Sequence, residues 1–197
     1  MSFTEHAWNI FNKSVEDYHL HDNVDFPINN PFENGSLEHL LYTKNWIDTV
    51  QWHLEDRIRV PELPVQEFIQ TKREIDRLNQ QRTDTVEEID VYLFNQFHSV
   101  VRQPNATFNS ETPAWLLDRM SILQLKIYHF NELIAAPNVT TPREVLQAKH
   151  AILLEQEKDL AISYDELTND LQKGKKYMKL YKQMKMYNDS SLIAPTK

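Results

Sequence analysis

Apolar residues recur at helical spacing along almost all of the 197-residue chain. Near the start, Phe11, Ser14, Val15 and Tyr18 fall on one face, and Ser2 and Glu5 have the spacing of a reciprocal capping box. The pattern predicts a first helix from Thr4 to Tyr18. Between Asp22 and Gly35 it breaks: Pro27, Pro31 and the Asn29-Asn30-Pro31 triplet forbid regular helix. Phe26, Ile28 and Phe32 in the same stretch predict a long loop that packs on the body. A second helix is expected from Ser36 to the residues before Pro61, with Leu37, Leu40, Leu41, Ile47, Val50, Leu54 and Ile58 as its stripe. A third begins near Pro64 and reaches His98, about 50 Å at the helical rise.

The fourth helix opens at Thr112-Pro113, a capping residue followed by proline at the first helical position, and ends near Ala136-Pro137. Leu116, Leu117, Met120, Ile122, Leu123, Leu125, Ile127, Phe130, Leu133 and Ile134 cover nearly its whole circumference. A helix apolar all round belongs in the middle of a bundle. Asp118, Arg119, Lys126 and His129 ride on it, so some of these charges must be buried and partnered. Thr141-Pro142-Arg143-Glu144 reads as a capping box opening a fifth helix that reaches Gln172. After Gly174, residues 173–189 read as a basic amphipathic C-terminal helix, and 190–197 as a disordered tail. No internal repeat is found. The expected fold is all-α: one domain, an antiparallel bundle of five to six helices.

Composition narrows the chemistry. With only two glycines, neither in a Gly-rich loop, phosphate-cradling and dinucleotide turns are excluded. Without cysteine there is no disulfide, thiolate metal site or thiol nucleophile. The start, Met1 to Glu5, lacks a basic-then-apolar leader, and no apolar run approaches the roughly 20 residues of a membrane helix. A cytoplasmic protein without a transmembrane segment is expected. Residues 173–197 carry seven Lys and one Asp, a balance of +6; taking this from the formal −8 leaves −14 on residues 1–172. So acidic a body disfavours nucleic acid as a partner.

Polar residues on the apolar stripes mark where a site would lie. Asp48, Trp52 and Glu55 share one face of the second helix, and Trp46, Val50 and His53 another, with Asp56 close by. Asn79 and Arg82 replace apolar residues on the third, and Arg82 is placed to meet Asp118 or Asp48 as a planar partner. These residues, with Arg119, Lys126 and His129, form either a polar network that fixes helix register or a ligand site. A second candidate is the loop set His19, His21, Asp22, Asn29 and Asn30. There His19 and His21 suit the negative end of the first helix. A third is the tail, where Lys175, Lys176, Tyr177, Lys179, Tyr181, Lys182 and Lys185 offer a surface for an anionic partner. Metal motifs are thin: Glu16-Asp17-Tyr18-His19 is the only Glu-x-x-His pair with di-iron spacing, and Glu87 to Asp90 is half of an acidic pyrophosphohydrolase motif. No metal or other cofactor is expected, Mg²⁺ or Mn²⁺ entering only if the protein is an enzyme.

Several stretches together resemble a bacterial family, domain of unknown function 4254. They are Tyr18 to Asp22 with Asn29-Asn30-Pro31, Lys44 to Asp56, Arg82 to Asp90, Glu111 to His129 and Lys175 to Asp189. The resemblance implies a helical cytoplasmic protein of this size, associated with cell-envelope sugar and lipopolysaccharide assembly, and brings no activity with it. The expected function is therefore a binding or scaffold protein, accessory to envelope-glycan synthesis. A homo-oligomer is expected, with a further protein or an anionic small molecule as partner. The alternative is an enzyme or sensor for a phosphorylated sugar or nucleotide. In that version Arg82, Arg119 and Lys126 hold the anion, Asp48, Asp56 and Asp118 bind metal or act as base, and Trp46 or Trp52 stacks on the ring.

Overall fold

The computed structural model describes residues 2–184. Five helices pack together: α1 (Phe3–His19), α2 (Leu37–Arg57), α3 (Val65–Phe97), α4 (Pro113–Ala135) and α5 (Arg143–Gln172). Two short strands, β1 (Thr107–Phe108) and β2 (Lys176–Tyr177), pair in parallel. The capping box at Ser2 and Glu5 is formed, and Ser36 caps α2 through its hydroxyl. Thr112 stands at the start of α4 without a side-chain cap bond. At α5 the expected box is absent: Pro142 occupies the capping position, so Thr141 lies one residue too early to reach the first free amides.

α4 is central and touches each of the other four helices. Leu117, Met120 and Leu125 are fully buried on it, each worth roughly 1.5–3 kcal/mol of removed apolar surface. α1, α2 and α3 close around it with Phe11, Val15, Tyr42, Val86 and Ile89. α5 lies on the outside, buries only Leu146, Tyr164, Leu167 and Leu171, and is pinned to α1 where Tyr164 stacks on Phe3. In the 22–35 loop, Phe26 and Phe32 pack on the core while Ile28 stays exposed. Asn30 braces the same loop through bonds to the His39 carbonyl and the Thr43 hydroxyl, both 3.0 Å.

The sixth helix expected after Gly174 is not formed. Gly174 has φ +66°, and the amides of Gly174 and Lys175 turn back to the carbonyls of Leu171 and Asp170. This left-handed closure satisfies the last carbonyls of α5 and redirects the chain. Residues 176–177 then run as a strand beside 107–108, held by amides of Gln103, Thr107 and Asn109 donating to the carbonyls of Gly174, Lys175 and Tyr177, each at 2.9 Å. Extended backbone also spreads Lys175, Lys176 and Lys179, which one helical turn would crowd together. The remainder of the expected helix, from Lys185, and the tail over 190–197 lie outside the described residues.

Asp90 is buried on α3 beside Thr112. Its Oδ1 has no hydrogen-bond partner, and burial raises its carboxyl to about 6 against a partial pull from the Thr112 hydroxyl. The folded protein therefore holds a proton there that the unfolded chain has lost between about pH 4 and 6. Its stabilising contribution is full below pH 4 and disappears as pH rises through 6. Asp90→Asn should leave stability at pH 4 nearly unchanged and raise it at pH 7.5 by about 2 kcal/mol, the shift being discounted for screening; denaturant titration at both pH values checks this. Glycine supplies a second test. A Cβ on Gly174 would sit 2.2 Å from the Val101 carbonyl oxygen, whereas one on Gly35 (φ +86°) meets nothing within 4 Å. Gly35→Ala should cost about 1 kcal/mol for backbone conformation alone, and Gly174→Ala clearly more, as read by melting temperature.

Candidate functional site

Four charges meet in the interior. α2 supplies Lys44 and Asp48 one turn apart, α3 supplies Arg82, and α4 supplies Asp118. Lys44 is 1% exposed, and its three ammonium hydrogens face three acceptors: Asp48 Oδ2, Asp118 Oδ1 at 2.8 Å and the Asp118 carbonyl at 3.0 Å. Arg82 clamps Asp118 with both arms, Nε to Oδ1 at 3.0 Å and Nη2 to Oδ2 at 2.6 Å, and its Nε lies 3.3 Å from Asp48 Oδ1. Ser121 donates to Asp48 Oδ2 at 2.7 Å and receives a bond from Asn45 at 2.9 Å. Two cations balance two anions. Burial pushes the Asp118 carboxyl up, but Lys44 and Arg82 outweigh it and hold the group below the usual value. For Asp48 burial wins, helped by the neighbouring Asp118, and its carboxyl is held above the usual value.

Asp48 and Arg82 also form the floor of a cleft of about 360 Å³. Positions 48, 51, 52, 55 and 56 share one face of α2, so Gln51, Trp52, Glu55 and Asp56 line one wall together with Arg59 of the turn that follows the helix, with Ile122 and Leu125 of α4 opposite. Arg59 pairs with Glu55 at 3.0 Å. With three acids against two arginines the cleft is slightly anionic. Asn79 borders a smaller hollow of about 180 Å³ on the other side of Arg82, with Trp115 and Gln183.

Three histidines converge next to the cleft, from three helices. His19 ends α1, His53 lies on α2 and His129 on α4, and one nitrogen of each ring lies within 4.8 Å of the others. The Nε2 atoms of His19 and His53 are 3.2 Å apart. Each ring is stacked on an aromatic neighbour: His19 on Tyr128 (4.4 Å), His53 on Tyr18 (5.1 Å), His129 on Trp52 (5.0 Å). Burial first, and the neighbouring imidazoles second, hold His53 below the ordinary histidine value. His129 is likewise lowered by burial, with Glu132 opposing. Among the described residues this is the only group of three or more His, Cys, Asp or Glu close enough to hold a metal ion. No motif pointed to it, because the members lie 34 and 76 residues apart and only the fold joins them.

The other expected site residues disperse. Trp46 is a core residue, packed against Tyr18 and Tyr42, and cannot stack on a ligand. Arg119 and Lys126 are exposed and border a hollow between α4 and α5, where Arg119 pairs with Glu111 at 2.9 Å; they do not join Arg82. His21 stacks on Phe26 at the surface, Asn29 is exposed, and Asp22 stands 3.9 Å from His53. On the tail, Lys175 pairs with Asp170, Lys176 with Asn109, and Lys179 lies over Phe108, while Arg102 covers the Tyr177 ring at 4.0 Å. Tyr181 and Lys182 are exposed; Lys185 lies outside the described residues. The sequence reading missed Lys44, whose signal was a lysine one turn before Asp48 between the apolar Leu41 and Ile47. It also missed Asn45 and Ser121, which carry no charge to betray them.

Among curated proteins and solved structures, none matches this chain. One family does match, over residues 38–180, a stretch that takes in α2 to β2 with the whole ion cluster, the cleft, His53 and His129, and leaves out α1 with His19. That match spans well over half of the chain, and the protein belongs to the family described as protein of unknown function (DUF4254).

Proposed function

We propose that the chain is a binding protein that takes a neutral, hydroxyl-rich small molecule, such as a sugar unit, in the cleft between α2, α3 and α4. The observation that carries this reading is the lining: carboxylate acceptors and guanidinium donors fixed by one another, beside Trp52 and the apolar Ile122 and Leu125. Such a wall offers both hydrogen-bond signs to hydroxyl groups and an apolar surface to the C–H face of a ring. The competing reading, an enzyme or sensor for a phosphorylated ligand, needs free cations at one place. Arg59 and Arg82 are already matched by carboxylates, and Arg119 and Lys126 lie elsewhere. A sugar-binding role agrees with the place in envelope-glycan assembly that the family resemblance suggested. Val145 and Ile152, exposed and seven residues apart on α5, support self-association through that helix.

In this reading the four-charge cluster is the frame and the cleft is the site, and the two respond differently to mutation. Lys44→Met should cost about 3–5 kcal/mol, because it leaves two buried carboxylates with one cation. That corresponds to a fall on the order of 10 °C in melting temperature. Arg82→Leu should lower it by several degrees, Lys44 remaining on Asp118. Equal or raised melting temperatures in both variants would contradict the frame. For the cleft, isothermal titration of neutral sugars, sugar phosphates and nucleotide sugars, with chelator present, should find binding to a sugar moiety. Gln51→Ala and Asp56→Asn should each weaken it about tenfold, one hydrogen bond's worth, without moving the melting temperature. Binding of phosphates alone, unaffected by Asp56→Asn, would overturn the reading, as would a panel without binding.

A further inference from the structure

We propose that His19, His53 and His129 form a binding site for a divalent metal ion, zinc being the ion that fits best. The site is separate from the cleft, although Trp52 contributes to the walls of both.

The tautomers follow from the hydrogen bonds. His19 Nδ1 lies 2.7 Å from the Val15 carbonyl oxygen, which can only accept, so Nδ1 carries the hydrogen and a neutral His19 presents a bare Nε2. His129 Nδ1 lies 3.0 Å from the Glu132 carboxylate, which fixes the same tautomer. A carbonyl or carboxylate behind both of these imidazoles is the support that metal-ligating histidines use to hold ring orientation and raise basicity. The bare Nε2 of His129 is buried and has no hydrogen-bond partner. A packing role would leave that lone pair desolvated with nothing in return, whereas a cation satisfies it.

The distances suit a small ion. Zinc bonded to nitrogen at about 2.1 Å sets tetrahedral ligand atoms about 3.4 Å apart. The 3.2 Å between His19 and His53 is already close to this, and the whole set, within 4.8 Å, needs its widest separation to close by at most about 1.4 Å. In the metal-free protein, His53 Nε2–H can donate to His19 Nε2; on binding, the His53 hydrogen is exchanged through solvent to Nδ1, so the neutral ring offers Nε2 to the ion. Stacking on Tyr128, Tyr18 and Trp52 fixes the three ring planes, so little freedom is lost on binding. Asp22, whose left-handed backbone (φ 46°) ends the turn after α1, holds an exposed carboxylate 3.9 Å from His53 Nε2. It stands at the solvent side of the group, outside the three ligands.

Ligand type selects the ion. Three imidazoles without a thiolate suit zinc, cobalt, nickel or copper and do not suit magnesium or manganese, which want oxygen. With no fourth histidine or cysteine to close the shell, the ion keeps a position for an exogenous donor.

The test uses the full-length chain without a histidine tag, stripped with a chelator. Titration with Zn²⁺ should give one equivalent bound, and Co²⁺ should give the intense visible absorption of a four-coordinate ion. His19→Gln and His53→Ala should each weaken binding more than about a hundredfold and abolish the cobalt band. Glu132→Gln, at a half-exposed carboxylate that does not hold the fold together, should weaken it about tenfold. His21→Ala and His98→Ala should change nothing. Absence of saturable Zn²⁺ binding, a six-coordinate cobalt spectrum, or full binding retained in His19→Gln and Glu132→Gln would overturn the proposal. Because the sugar titration is run with chelator present, failure of either reading leaves the other standing.

Discussion

The burial of Lys44 constrains everything around it. An ammonium taken out of water loses several kcal/mol of hydration, and only close, well-directed anionic acceptors restore it. Asp48 lies one turn away on the same helix, but Asp118 and its carbonyl must come from α4, and Arg82 from α3 must then balance the second carboxylate. Three helices are thereby held in one relative register. A slide of one turn along any of them would strand a charge in an apolar interior, so the cluster excludes alternative packings that hydrophobic contacts alone would tolerate.

Much of the fold was legible because helix period, proline and caps are local signals. Ser2 with Glu5, Ser36, Pro113 and the all-round apolar Leu116 to Ile127 stretch each point to one element, and α4 is central for the reason its sequence suggested. The tail was misread because Tyr177, Leu180, Tyr181 and Met184 have helical spacing. What decides its conformation is Gly174, whose left-handed turn delivers the chain to an edge at Thr107 that no local pattern announces. The site divides the same way. Arg82 with Asp118 could be anticipated, since an arginine and an aspartate on apolar stripes need each other. Lys44 hid as an ordinary lysine, and the three histidines hid because their proximity is a property of helix packing.

α2 is the element on which the chemistry converges. One face carries Lys44 and Asp48 inward, the next carries Gln51, Trp52 and Glu55 toward the cleft, and His53 turns toward α1. Trp52 joins two of these regions, with one side of its indole against His129 and the rest in the cleft wall. A shift of α2 that served one region would be felt in the others, so the helix behaves as a single rigid carrier.

The pairing of β1 with β2 joins segments roughly seventy residues apart. On the ribosome, the connection between α3 and α4 therefore emerges long before the strand that completes it. Arg102, Gln103 and Phe108 stay without their partners Tyr177, Lys173 and Lys179 until all of α5 has been made. The bundle's central helix can collapse onto its neighbours early, but the segment leading into it is finished only after α5 and β2 have been made. The short parallel ladder thus acts as a latch that closes after the helices it joins.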